Sequence, residues 1–317
     1  MSADSPHNGP YRLIATHYES LLDTAARTLG DRAAAQSLIA RGGAWINHER
    51  IQVAEAMLLP GMHVQLHTIP AHAQTCHLPA DAIIYHDKWL IAINKPVGTY
   101  VDATPWDAHN HLRTALATLL AQHGATPPLH PAHRLDRDTT GVLLFTHHPH
   151  ANASLQKLFV QHRTRKYYIC HVHGVPDWQD YTCISGHGRS DRGRFRVYPH
   201  AQVGQKLPNG DTIKEMHTQF RVLAQYHDNT SMLLAIPHTG RTHQIRLHAH
   251  ACGLPIVGDR SYGHADDGVG AHRLHAWQLH FPHPIHESPI QIHAPLPAWV
   301  PADLALPPLH DTIENDE

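Results

Sequence analysis

A short segment with four charged residues leads directly into an unbroken apolar run. Residues 133–141 read HRLDRDTTG, and residues 142–145 read VLLF. Four large apolar residues after a glycine predict a buried strand, so Asp136, between Arg134 and Arg137, lies in the turn where that strand begins. A partly desolvated carboxylate stays ionised only beside a cation, and an ionised aspartate fixed there is a candidate nucleophile or general base. A turn aspartate bonded to its own backbone would give the same pattern.

A second segment combines a strand, a break and a helix with basic residues. Residues 232–236 (MLLAI) predict a strand, and residues 239–240 (TG) interrupt it. Side chains then recur at helical spacing before Gly253, which predicts a helix end: Ile245, His248, Ala249 and Cys252. Arginine in the first turn opposes the helix dipole preference. We therefore expect Arg241 or Arg246 to bind an anion, either phosphate, Asp136 or both.

Together these segments resemble the RluA-type family of RNA pseudouridine synthases. Residues 133–141 match its H-R-L-D-x-x-T-S/T-G signature, and residues 240–246 match G-R-x-H-Q-I/L-R. Weaker blocks follow the same order as in the family: residues 93–98, Lys166-Tyr167-Tyr168 with Gly174, and residues 255–259. The resemblance covers roughly residues 80–295.

The resemblance implies that the chain converts uridine in RNA to pseudouridine. In this reaction the C1′–N1 bond breaks, the uracil turns within the site, and C5 bonds to C1′. No cofactor is implied, and the sequence has no G-x-x-x-x-G-K-S/T phosphate loop.

The resemblance assigns three catalytic residues. Asp136 would attack or deprotonate the sugar, by an acylal, Michael-type or glycal route, and Arg246 would pair with it. Tyr168 would stack on the uracil and assist proton removal at C5. We prefer Tyr168 to Tyr167 because it fits the spacing to Gly174, and neighbours on a strand face opposite sides.

RNA contacts are expected around this trio. Extruding the target base costs a few kcal/mol, and Arg134 would fill the vacated space while His133 holds the flipped nucleotide or the turn. Phosphate or base contacts are expected at the remaining positions: Lys166, Arg241, His243 and Gln244.

The pattern along the chain predicts an α+β fold with a largely antiparallel sheet, and the resemblance implies the mixed sheet of the pseudouridine synthase fold. A helix-helix-strand pattern precedes it, with helical faces ended by Gly30 and capped by Asp31. This pattern resembles the ribosomal-protein-S-four-like RNA-binding domain. The expected divisions are a disordered segment at 1–11, the RNA-binding domain at 12–69, a linker at 70–80, the catalytic domain at 81–300 and an acidic, Pro-rich tail at 301–317.

Charge does not identify a nucleic-acid binder by itself, since the net charge is −2. Basic residues cluster locally, however, and 35 histidines would make the protein more cationic below about pH 6.5. Four scattered cysteines fit reduced thiols and a cytoplasmic location. The sequence has no apolar run long enough for a membrane span, and we expect a monomer.

Several alternatives stay open at this stage. The target is more consistent with large-subunit ribosomal RNA than with transfer RNA, because of the N-terminal domain. A non-catalytic RNA-binding ribosome-assembly factor would keep the fold, but it would not need Asp136, Tyr168 and Arg246. A metal hydrolase is suggested by histidines such as His147, His148 and His150, but no metal site is expected because acidic or cysteine companions are missing.

Overall fold

The computed structural model of the chain describes residues 10–71, 73–190, 194–264, 267 and 270–308. It divides into two compact units, Met1–Ala80 with Gly98–Pro127, and Asp81–Val97 with Pro128–Glu317. The sequence-based division did not anticipate that residues 98–127 return to the first unit. The two units are described separately below.

The first unit contains six strands and three helices among its described residues. In chain order they are β1 (Tyr11–Ile14), β2 (Glu19–Ser20), α1 (Leu21–Leu29), α2 (Arg32–Ala40), β3 (Ala44–Ile46), β4 (Glu49–Ile51), β5 (Met57–Leu58), β6 (His63–Leu66) and α3 (Leu112–Gln122). The first, third, fourth and sixth strands form an antiparallel sheet in the order β1-β6-β3-β4, and β2 pairs with β5.

Capping residues mark the start of both N-terminal helices and the end of α1. The Ser20 side chain accepts a hydrogen bond from the backbone of Asp23 at the start of α1, and Gly30 ends that helix with φ 72°. The Asp31 carboxylate accepts from two backbone N–H groups at the start of α2. Both helices pack on β6 through one apolar cluster: Leu21, Leu22, Ala25, Ala35, Leu38, Ile39, Val64 and Leu66.

The predicted disordered segment at residues 1–11 extends one residue too far, because Tyr11 is part of a strand. Tyr11 begins β1 and pairs with Leu66 of β6, because its half-buried ring packs on the cluster just described. Residues 1–9 of the segment lie outside the described residues.

The second unit contains eleven strands and two helices among its described residues. They are β7 (Ile83–His86), β8 (Leu90–Lys95), β9 (His130–Pro131), β10 (Thr140–Thr146), α4 (Pro149–Val160), β11 (Arg165–His173), β12 (Asp180–Arg189), β13 (Phe195–Tyr198), β14 (Lys214–Gln225), β15 (Thr230–Pro237), α5 (Gln244–Ala251), β16 (Leu274–Pro282) and β17 (Pro289–His293). Short 3-10 turns lie at Ala80–Ala82 and His200–Gln202.

One mixed sheet carries the second unit, in the order β13-β12-β14-β15-β11-β16-β10-β8-β7, with β9 on β10 and β17 on β16. The pairing of β10 with β16 is parallel, whereas the other pairings of the described strands are antiparallel. The predicted α+β fold with a largely antiparallel sheet is therefore confirmed.

Gly141 makes the parallel pairing possible. It lies at the start of β10 with φ +104°, and a Cβ atom at this position would meet the backbone of Ala276 on β16. Only glycine combines this backbone conformation with such a close approach.

Helices α4 and α5 lie against different parts of the sheet. Leu155 and Leu158 of α4 join a cluster with β8, β10 and β16, whereas Ile245 and Ala249 of α5 join a cluster with β11, β14 and β15. Helix α5 begins at Gln244, so Arg241 precedes the helix instead of lying in its first turn.

The beginning of the predicted tail is attached to the second unit. Leu304 and Leu306 pack against the cluster that contains Tyr167 and Trp277, because apolar side chains interrupt this otherwise polar segment. Residues 309–317 of the tail lie outside the described residues.

Candidate active site

The turn before β10 is held in place from several sides. Thr139 N–H donates to the Asp136 carbonyl at 3.2 Å, and the Thr139 hydroxyl shares a hydrogen bond with His272 at 2.8 Å. The fully buried Lys95 donates through Nζ to the Arg137 carbonyl at 2.8 Å. These contacts fix the backbone on both sides of the Asp136 side chain.

Asp136 presents two unequal carboxylate oxygens. Its Oδ2 accepts a hydrogen bond from Arg246 Nη1 at 2.8 Å, and its Oδ1 lies 3.8 Å from Nε2 of His243. Among the described residues Oδ1 has no hydrogen-bond donor, and the side chain is 25% exposed. One oxygen is therefore fixed by a cation while the other can meet a reactant.

Arg246 is buried between two carboxylates. Nε and Nη2 donate to Asp259 at 2.6 and 2.8 Å, while Nη1 donates to Asp136. Burial opposes the charge, but hydrogen bonds to Asp259 and the charge of Asp136 raise the pKa of Arg246 above its ordinary value. The expectation that Arg241 or Arg246 binds an anion is confirmed for Arg246, and the anions are Asp136 and Asp259.

Asp259 fixes the direction of the Arg246 guanidinium. Its carboxylate is fully buried and accepts from the backbone N–H groups of Ser261 and Tyr262. Burial works against ionisation, yet the bonds from Arg246 hold the pKa of Asp259 below its ordinary value. Asp259 lies in the block 255–259 that matches the family, and its position beside Gly258 there was the one sequence signal for this role.

Tyr168 and Tyr167 face different surroundings, as alternation on a strand requires. Tyr168 joins the apolar cluster beneath α5, and burial together with the charge of Asp136 raises the pKa of its phenol. Tyr167 belongs to the cluster that contains Trp277. The pairing with β16 shifts register between the two tyrosines.

His243 and Tyr262 form one wall of the site. His243 adopts φ 59° just before α5, and its Nδ1 shares a 3.0 Å hydrogen bond with the Tyr262 hydroxyl. Burial lowers the pKa of His243 although Asp136 acts in the opposite direction. The Tyr262 ring lies under the Arg246 guanidinium, with 5.1 Å between the ring centroid and Arg246 Cζ. The sequence did not predict this role of Tyr262.

Two residues expected to contact RNA have internal roles. Gln244 is buried, and its carbonyl accepts from the Thr239 hydroxyl and Arg241 N–H, while its amide donates to His217 and Thr218. All four hydrogen-bonding positions of this amide are thus occupied, so Gln244 has no position left for RNA.

His133 is neutral and supports the turn. Its Nε2 accepts from Leu144 N–H at 3.2 Å, and its ring stacks on Phe159. Burial, helped by the charge of Lys166, lowers the pKa of His133 to about 4. Of the two roles left open for this residue, the contacts favour holding the turn.

The remaining basic residues differ in exposure. Arg134 is exposed, and its guanidinium has no hydrogen bond or ion pair within the described part of the chain. Arg241 is half-buried and donates through Nε to the Glu215 carbonyl. Lys166 donates to the Thr239 carbonyl at 3.2 Å, and burial lowers its pKa to about 8.

The histidines considered for metal binding have other contacts. His147 bonds to the Asp87 carbonyl, and His148 caps α4 while its ring contacts Trp89. Over the residues that the structure describes, no three His, Cys, Asp or Glu side chains are placed to hold a metal ion. None of the described helices has the length and apolar character to cross a membrane.

The sheet and α5 bring a carboxylate, a buried arginine and a tyrosine together in one candidate site. The family described as RNA pseudouridylate synthase matches residues 89–251. The chain is 36% identical over 262 residues to RNA pseudouridine synthase 1 of Arabidopsis thaliana, covering 72% of this chain and 78% of the relative. It is 33% identical over 226 residues to ribosomal large subunit pseudouridine synthase C of Vibrio vulnificus, covering 68% and 66%.

Solved structures agree on the fold. Human RNA pseudouridylate synthase domain containing 1 superposes with a TM-score of 0.56 at 24% identity, over 72% of this chain and 86% of that one. The chain belongs to the RNA pseudouridylate synthase family and is an RNA pseudouridine synthase of the RluA type.

Proposed function

We propose that the enzyme isomerises specific uridines of large-subunit ribosomal RNA, with Asp136 as its catalytic carboxylate. The observation that carries this proposal is that one carboxylate oxygen of Asp136 accepts a hydrogen bond from Arg246, whereas the other has no donor among the described residues. Arg246 binds Oδ2 at 2.8 Å, which orients the carboxylate and leaves Oδ1 for the sugar of an extruded nucleotide.

The other catalytic residues have distinct tasks in this proposal. Arg246 orients the Asp136 carboxylate through its hydrogen bond to Oδ2. Tyr168 stacks on the uracil; because burial raises the pKa of its phenol, it stays protonated at neutral pH. Its assistance in removing the C5 proton stays a prediction.

RNA contacts are assigned to basic side chains near Asp136. Arg134 is suited to occupy the space that the extruded base leaves, since it is exposed and unpaired among the described residues. The half-buried Arg241 and Lys166 are assigned to phosphate, whereas His243 faces Asp136. Gln244 is assigned to positioning the loop before α5.

The proposed ribosomal RNA target rests on the name of one relative and on the RNA-binding domain predicted in the first unit. One relative carries the name ribosomal large subunit pseudouridine synthase, and an S-four-like RNA-binding domain over residues 12–69 stays a prediction. We expect weak RNA binding by that domain, because Arg27 and Arg32 already pair with Glu19 and Asp23. Transfer RNA is the alternative target, and the cytoplasmic location and monomeric state stay predictions.

Tritium release from RNA that carries 5-tritiated uridine tests the proposal, since the new bond at C5 expels that hydrogen. Wild type should release tritium from ribosomal RNA faster than from transfer RNA. Asp136→Asn should abolish release while keeping RNA affinity within about twofold. Asp138→Asn, in the same turn but paired with Arg137, is the matched control and should retain most of the activity.

Three results would count against the proposal. Release by Asp136→Asn at the wild-type rate would refute the catalytic role. Equal loss of RNA affinity would assign Asp136 to binding. Faster release from transfer RNA would move the enzyme to the alternative target.

A further inference from the structure

Two of the four cysteines lie close together outside the active site. Cys183 is on β12, and Cys252 follows the last residue of α5; both are half-buried. Of the other two, Cys170 is fully buried on β11 and Cys76 belongs to the first unit. The catalytic proposal uses neither Cys183 nor Cys252.

Contacts of one buried histidine explain why these thiols meet. His248 of α5 shares a 2.9 Å hydrogen bond with Ser185 on β12 and another with Thr218 on β14. Cys252 lies four residues beyond His248, on the same helical face and about 6 Å along the axis. Cys183 lies two residues before Ser185, on the same face of its strand and about 7 Å away, and it is the register partner of Thr218.

The positions of Ser185, Thr218 and His248 therefore make the two thiols neighbours across β12 and the end of α5. Interaction with the Cys252 thiol lowers the pKa of Cys183 despite its burial, and His248 acts in the same direction. The same interaction raises the pKa of Cys252. Cys183 is therefore the more nucleophilic thiol at neutral pH, because the thiolate is the reactive form.

We propose that Cys183 and Cys252 form a redox-active thiol pair that low-molecular-weight disulfides convert reversibly into an intramolecular disulfide. The bond would connect β12 to the end of α5, the helix that carries Arg246. Because both thiols are half-buried, a small disulfide such as oxidised glutathione can reach them.

The chemistry proceeds in two exchange steps. The Cys183 thiolate attacks one sulfur of oxidised glutathione, forms a mixed disulfide and releases a glutathione thiolate, which takes up a proton. Cys252 then loses its proton to solvent and attacks the Cys183 sulfur, releasing the second glutathione. In sum, the protein dithiol is oxidised by two electrons and one oxidised glutathione becomes two reduced molecules.

The test exposes the full-length protein to oxidised glutathione at pH 7, followed by alkylation and tryptic mass spectrometry. Trypsin releases Cys183 in residues 167–189 and Cys252 in residues 247–260, so the disulfide appears as these two peptides linked. Fragmentation distinguishes Cys183 from Cys170, which shares its peptide. Dithiothreitol should reverse the link.

Single variants establish the order of the steps. Cys252→Ser should hold glutathione on Cys183 as a stable mixed disulfide, at a rate at least about tenfold above that of Cys76 in the same molecule. Cys183→Ser should slow the reaction of Cys252 to the rate of Cys76 or below. Cys76→Ser is the matched control and should form the intramolecular link as wild type does.

The wild-type measurement decides the proposal even if a variant fails to fold. Absence of the linked peptides while Cys76 acquires glutathione would overturn it. So would a Cys252 that reacts in Cys183→Ser as fast as Cys183 reacts in Cys252→Ser.

Discussion

Replacing Asp259 by asparagine tests whether this buried carboxylate positions Arg246. In the native protein Oδ1 accepts from Arg246 Nη2, Ser261 N and Tyr262 N, at 2.8, 2.9 and 3.1 Å, while Oδ2 accepts from Arg246 Nε at 2.6 Å. Asparagine can keep the bonds to one oxygen. Its amide nitrogen then faces the Nε–H donor, so one charge-assisted bond is lost.

The magnitude follows from that loss. A hydrogen bond to a charged group contributes about 1.5–3 kcal/mol, and breaking a buried ion pair costs about 3–5 kcal/mol. Because Arg246 keeps Asp136 as a second anion, we expect Asp259→Asn to lower the free energy of unfolding by about 2–4 kcal/mol. Turnover should fall about tenfold or more with little change in KM, since the misplaced guanidinium affects chemistry more than binding.

Urea unfolding and tritium release measure the two effects, and the chain offers a matched control. Asp180 accepts from Arg221 Nε at 2.7 Å, but both side chains are more than 40% exposed. Asp180→Asn should therefore cost no more than about 1 kcal/mol and leave turnover unchanged. If the two variants differ in stability by less than about 0.5 kcal/mol, or if Asp259→Asn turns over like wild type, the positioning role is refuted.

Three further predictions concern the turn and its surroundings. Gly141→Ala should destabilise the protein by at least about 2 kcal/mol in urea unfolding. Gly124→Ala, also at positive φ but with open space around it, should cost about 1 kcal/mol. Equal costs would contradict a clash between the new Cβ atom and the Ala276 backbone. Burial lowers the pKa of His272 to about 4, so the unfolded chain binds more protons than the folded chain between about pH 6.5 and 4. The free energy of unfolding therefore falls on acidification by up to about 1.4 kcal/mol per pH unit for this group. His272→Asn should make the dependence of that free energy on pH less steep, and equal pH dependence in variant and wild type would disprove the argument. Arg134→Ala should lower kcat/KM about tenfold or more on folded RNA but much less on an unstructured oligonucleotide, because extrusion of the base costs a few kcal/mol only where the base is stacked; equal losses on both substrates would contradict a role in extrusion.

The acidification prediction also refines the expectation from 35 histidines. Burial lowers the pKa of His133, His272 and His275 to about 4. These groups stay neutral through the pH range in which exposed histidines become charged. The total of 35 histidines therefore overstates the positive charge that the protein gains near pH 6.

Local signals were sufficient for much of the fold. Gly30 and Asp31 act on the backbone within a few residues, so the end of α1 and the start of α2 could be predicted from the sequence. The apolar runs at 142–145 and 232–236 lie in β10 and β15 as predicted. The return of residues 98–127 to the first unit has no such local signal, because it depends on packing between distant segments.

The sequence by itself determined the family and the turn that holds Asp136, because these depend on motif order and on a short local pattern. The choice of Tyr168 over Tyr167, which depends on alternation along one strand, stays a prediction. Tertiary structure decided which anions Arg246 binds, since Asp136 and Asp259 lie 110 and 13 residues away from it along the chain. Tertiary structure also decided that internal hydrogen bonds occupy the side-chain amide of Gln244. Burial and pairing across the sheet are properties of the packed chain, and residue identity alone does not specify them.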